Sequence, residues 1–222
     1  MDDKIKYALE HTKLIRAPRQ ELATFGSSIV DYWVVTELAG NVSVVRDGRV
    51  TAERPRIVTP AYLVNVEGFS DQAKGYLNKM ATGHPDEPGV FYRYRNEPKG
   101  MNIVSEPIRG VINKLNSQIE ERHNPLSTII KGIEELWDVS LLMFTYELTR
   151  RSVKANVAEF HRRGLLDIDA SGVPRDARIH IEELFEQVSR NLSRAPELVV
   201  ELSRWSLFAE YQDRFFALFR GK

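Results

Sequence analysis

Residues 125–151 read Pro-Leu-Ser-Thr-Ile-Ile-Lys-Gly-Ile-Glu-Glu-Leu-Trp-Asp-Val-Ser-Leu-Leu-Met-Phe-Thr-Tyr-Glu-Leu-Thr-Arg-Arg. Any fold of this chain must bury most of them. Leu126, Ile129, Ile130, Ile133, Leu136, Trp137, Leu141, Phe144 and Leu148 recur at the three-and-four spacing of one helix face. From Leu136 onward Val139, Leu142, Met143 and Tyr146 make the other faces apolar as well, which predicts cover by protein on most sides. The expectation is a central buried helix of roughly 25 residues, about 37 Å long.

The texture on either side of residue 106 differs. Before it, residues 29–36 are β-branched and aromatic, a strand signal. Residues 42–46 and 49–53 flank Asp47-Gly48, a pair that favours a two-residue hairpin turn because Gly tolerates positive φ. Thr59-Pro60 opens a helix, with Thr as cap and Pro at the first position, running to about residue 80. Residues 83–89 are a loop, 90–95 a strand, and 101–105 its partner. After residue 106 come amphipathic helices at 108–122, at about 177–191 and at 195–220, with a short helix from Ser152, as cap, to Arg163, closed by Gly164. A short N-terminal helix over 4–13 turns Ile5, Ala8 and Leu9 inward. The fold class is therefore α+β. A small antiparallel sheet domain spans residues 1–106, and an all-helical bundle built on the central helix spans 107–222.

Charge restricts function. Lys plus Arg and Asp plus Glu are each 31, split 14 and 14 before residue 107 and 17 and 17 after it, so a nucleic-acid site would have to be a local patch. With no cysteine, disulfides, thiolate metal sites and Cys nucleophiles are excluded. The N-terminus has no apolar leader, and no apolar run approaches the ~20 residues of a membrane span. These features predict a soluble cytoplasmic protein with no membrane role. Phosphate-binding, dinucleotide, nucleophile-elbow and zinc-helix motifs are missing, and no metal or cofactor is expected. Glu120-x-x-His123 lacks the second copy that a di-iron bundle needs. Asp167-Ile168-Asp169-Ala170-Ser171-Gly172 opens like a calcium loop, but its twelfth position is Arg178.

Three functional readings remain. The leading one is a non-catalytic interaction or regulatory protein working through its helical half. A protein partner or a homo-oligomer would be held by Trp205, Phe208, Phe215 and Phe219, because large apolar residues in excess of one small core signal a partner. The second is nucleic-acid binding. It uses either a helix-turn-helix-like segment carrying Arg150, Arg151, Lys154, Arg162 and Arg163, or the strand with Tyr92, Arg93, Tyr94 and Arg95, where aromatics would stack bases beside cations. Arg46, Arg49, Arg54 and Arg56 extend that surface if their strands are neighbours. The third is an enzyme with an acid/base site between the halves, drawn from Glu134, Asp138, Glu147, Tyr92, Arg93, Arg54 and His84. Buried carboxylates with raised pKa values would mark it.

Overall fold

A mixed five-stranded sheet with a helix on each face organises the first compact part of the chain. The computed structural model describes residues 3–39, 41–65 and 87–220. Its contacts divide it into two units that interleave in sequence: Met1–Pro55 with Tyr92–Asn156, and Arg56–Phe91 with Val157–Lys222.

In the first unit, α1 (Asp3–His11) leads into β1 (Lys13–Arg16), and β2 (Ser28–Leu38) pairs along its whole length with β3 (Val42–Ala52). β6 (Tyr94–Val104) lies antiparallel to β3, and β7 (Ser127–Lys131) enters parallel to β2, giving the order β1-β7-β2-β3-β6. The ladder fixes which side chains share a face. Val30, Tyr32, Val34, Val50 and Ile130 look toward α4 (Trp137–Arg162) and close a core with its Leu141, Phe144 and Leu148. On the other face Val35, Val45 and Ile129 meet Val111, Leu115 and Ile119 of α3 (Ile108–Arg122).

The central stretch corrects the helical expectation. Residues 127–131 form a strand, Gly132 turns the chain, a single 3-10 turn covers Glu134–Leu136, and only then does the helix begin. β7 lies between β1 and β2 and is buried on both faces. Such a strand reads as a continuous apolar run without alternation, which periodicity confuses with a helix. Nor is α4 covered on most sides. Leu142 is 69% exposed and Tyr146 68%. The helix continues through residue 152 to Arg162, so the separate short helix does not exist. Ser152 is no cap; it is buried mid-helix, accepting from the Leu22 N–H at 3.0 Å and donating to the Leu148 carbonyl at 2.8 Å. Ser140 and Asn156 act similarly along the same helix. The Ser140 hydroxyl meets that of Thr12 at 2.7 Å. Asn156 takes the Thr24 hydroxyl at 2.7 Å and gives its amide to the Tyr92 oxygen at 2.8 Å. Small polar groups on α4 thereby hold the extended segment between α1 and β2.

Asp47-Gly48 is not a turn either. β3 runs straight through it, and the reversal falls between Leu38 and Val42, where Asn41 has φ 60°. Residues 94–104 are one strand rather than two.

The second unit pairs β4 (Arg56–Val58) with β5 (Gly89–Phe91). Thr59 caps α2 (Pro60–Val64) as the sequence indicates. The continuation of that helix to residue 80 and most of the 83–89 loop, with His84, lie outside the described residues. α5 (Arg175–Arg190), α6 (Ala195–Arg204) and α7 (Phe208–Ala217) enclose Ile181, Leu184, Leu198, Leu202 and Phe215. The expected single helix over 195–220 is broken at Ser206, which adopts φ 57° and lets both Trp205 and Leu207 be buried. Gly164, at φ 64°, ends α4 with Leu165 N–H returning to the Phe160 carbonyl. Among the described residues, no helix is long and apolar enough to cross a membrane.

A candidate binding groove beside Trp33

The sheet face that carries α3 is not fully covered by it. Beyond the apolar contact lies an open groove of about 380 Å³. Val45, Val111 and Leu115 form its floor together with half-buried Trp33, and Asp31, Asp47, Arg49 and Lys99 rise from the strands. α3 contributes Lys114 and Arg122.

Most of these charges are already matched. Asp31 accepts from Arg49 Nε at 2.9 Å, from the Asn124 amide at 2.9 Å and from Lys99 Nζ at 3.4 Å. Glu106 takes Lys114 Nζ on both oxygens, at 2.6 and 2.8 Å. Two charges are left over. Asp47 makes no hydrogen bond or ion pair among the described residues. Among the described residues Arg122 makes only a cation–π contact, its guanidinium 6.0 Å from the Trp33 ring. Both flank Trp33, since Asp47 is its cross-strand neighbour in the β2–β3 ladder.

The position of Asp47 follows from a bulge. Asp47 pairs with Gly100 and Gly48 with Pro98, so Lys99 is the extra residue on β6. Such insertions re-aim a side chain. Of the two glycines Gly48 is sterically required, while at Gly100 the atom met is the mobile end of the Asp47 side chain. A Cβ on Gly100 would come 2.9 Å from Asp47 Oδ1, and one on Gly48 would lie 2.6 Å from Tyr32 Cζ and 2.7 Å from the Glu97 carbonyl. Tyr32 itself is buried and donates to Asn96 at 3.0 Å. Burial raises its phenol pKa, the Asn96 bond opposes this, and the Asp47 charge adds to the rise.

The residues singled out from the sequence are elsewhere and have other partners. Tyr92 and Tyr94 pack against the core under α4, stacked at 6.3 Å, with the Tyr94 hydroxyl bonded to Thr149. Their ring faces are used in packing, and burial raises both phenols. Arg93 pairs with Glu53 and Arg95 with Glu97. Arg46, Arg49 and Arg56 pair with Glu134, Asp31 and Glu201, and Arg54 lies over Phe25. Arg150 bonds Glu147, and Arg162 and Arg163 share Glu159. Arg151 and Lys154 are exposed on the same unbroken helix. No turn separates 150 from 163, so a helix-turn-helix geometry is absent there.

The acid/base candidates are not gathered. Arg46 holds the Glu134 carboxyl below the usual range against the opposing effect of burial, with the Thr36 hydroxyl assisting. Arg150 does the same for Glu147. Asp138 is exposed and accepts from the Val139 N–H. A lowered pKa is the wrong direction for a general acid at neutral pH. The 167–172 loop uses Asp169 internally: Ser171 and Val173 amides and Arg178 fill its oxygens. Burial would raise this carboxyl, but the Val173 amide, Arg178 and the Ser171 amide outweigh it and lower the pKa. No group of three or more His, Asp or Glu side chains among the described residues is placed to hold a metal ion.

Of the interface candidates, Trp205 and Phe215 belong to the core of the second unit and Phe208 is half-buried against it. Phe219 is 45% exposed, and Phe216, which the sequence reading passed over, is 44% exposed. The groove was missed as a whole. Asp47 read as a turn residue, and only the ladder register brings Trp33, Asp47 and Arg122 together. A scan of the chain against models of known protein families finds no match, and neither do searches among curated proteins and solved structures.

Proposed function

We propose that this chain is a non-catalytic, regulatory binding protein whose recognition site is the groove beside Trp33. The observation that carries the reading is the pair of unmatched charges, Asp47 and Arg122, on either side of an accessible indole. A half-buried carboxylate with no protein partner is left to water and stands available to a cationic group of a ligand. A concave site with an apolar floor and a few convergent polar groups is the usual form of a small-molecule site.

The test is a library of charged metabolites screened by ¹H–¹⁵N correlation spectroscopy. Shifts centred on the Trp33 indole N–H and the amides of Asp47 and Gly48 support the reading. Hits that map elsewhere, or no hits, overturn it. A second reading is favoured by the exposure of Phe216 and Phe219: self-association through the end of α7 and the turn that follows it. Sedimentation of the wild type and of F216S/F219S tests it, and a monomer at all concentrations removes it.

A further inference from the structure

Resting on that groove, we infer that its ligand is a small zwitterion, a free α-amino acid or short peptide bearing one ammonium and one carboxylate group. Within the groove Asp31 pairs with both Arg49 and Lys99, and Glu106 with Lys114, which leaves that set of five groups one positive charge in excess. The two charged side chains with no such contact among the described residues are one anion on the strands, Asp47, and one cation on the helix, Arg122. A ligand that satisfies both must carry both signs at separated points.

The surroundings of Asp47 suit an ammonium donor. Gly100, the cross-strand neighbour of Asp47, carries no side chain, and the carboxylate leans over it. An ammonium there gains a charge-assisted hydrogen bond and, beside the Trp33 ring, a cation–π contact. At the other end the Arg122 guanidinium is exposed and, among the described residues, held only by that ring. It can turn a two-pronged donor edge to a carboxylate, the geometry for which arginine is best fitted. Between them Val45, Val111 and Leu115 offer apolar contact to the body of the ligand. The 380 Å³ volume is near the lower end of the roughly 300–1,000 Å³ of small-ligand sites. A simple cation would satisfy Asp47 and leave Arg122 unanswered, and a simple anion would do the reverse. Only the zwitterion answers both.

The full chain is titrated calorimetrically with the twenty proteinogenic amino acids and a set of dipeptides. The N-acetyl and amide derivatives of each binder follow, and then D47N and R122Q, each checked for folding by circular dichroism. At least one zwitterion is expected to bind. Blocking either end, or changing the residue facing it, should weaken binding by about tenfold or more, the loss of one charge-assisted contact. The pattern should be matched: D47N abolishes the preference over the N-acetyl form, and R122Q the preference over the amide. Free amino acids and dipeptides are separated by which series binds. Spermidine and inorganic phosphate serve as control ligands. If only a control binds, sensitive to D47N or R122Q, the zwitterion assignment is overturned while the groove stands as a site. If nothing binds, or the variants change nothing, both fall.

Discussion

Replacing Gly132 by alanine separates a helical from a strand–turn–helix reading of residues 125–151 by the sign of its effect. In a continuous helix the change would stabilise by about 1 kcal/mol, the difference in helix propensity. In the structure Gly132 is a turn between β7 and α4, and its N–H donates to the Val35 carbonyl at 3.1 Å. A Cβ there would overlap Ser140 Oγ and stand 3.0 Å from Ser140 Cβ. Ser140 is fully buried and its hydroxyl is bonded to Thr12, so neither side yields freely. Overpacking of this kind costs about 1–3 kcal/mol, offset by about 0.4–1 kcal/mol from the stiffer unfolded chain. A net destabilisation of about 1–2 kcal/mol follows. S140A removes the overlapping oxygen and should cost about 1 kcal/mol for its hydrogen bond, since Thr12 keeps its bond to the Ala8 carbonyl. In G132A/S140A the clash is largely gone, so the double variant should be more stable than the sum of the single losses by about 1 kcal/mol. Urea unfolding followed by circular dichroism reads all three, at unchanged m. A stabilised G132A, or additive losses, would refute the packing argument.

Three further outcomes are expected. Asn156→Ala should lose about 1–3 kcal/mol in urea unfolding because it abandons Thr24 and Tyr92 together; an effect below about 0.5 kcal/mol would place the residue on an indifferent surface. The Glu134 carboxyl has a lowered pKa in the fold, so its contribution is present above the unfolded value of about 4.3 and lost as pH falls through the lower folded value. E134Q should therefore show a shallower loss of stability in acid than the wild type, and parallel pH profiles would contradict the Arg46 pairing. Phe215→Ala should cost about 3–5 kcal/mol as a core truncation. Phe219→Ala should cost less than about 1.5 kcal/mol, since the ring is 45% exposed and meets Phe215 at 5.4 Å; equal effects would show that Phe219 is core too.

Local chemistry alone determined a good part of this protein. The β-branched and aromatic run at 29–36, the Thr59-Pro60 helix start, the apolar face of 108–122 and the Gly164 helix end are all as the sequence indicates, because each is fixed by residues within a turn or two. The α+β class follows from them. What tertiary structure decided are the places where local signals are degenerate. The run Thr-Ile-Ile at 128–130 suits a strand or a helix equally by spacing, and insertion beside β2, with burial on both faces, selected the strand. Ser152 resembles a cap, yet the Leu22 amide made it an anchor inside a helix. Asp47-Gly48 resembles a turn, yet the full-length pairing of β2 with β3 carried the strand through it. The groove is the extreme case. Trp33, Asp47 and Arg122 are separated by 14 and 75 residues in the chain. Their meeting depends on strand register and on how far α3 covers the sheet, quantities that only long-range packing sets.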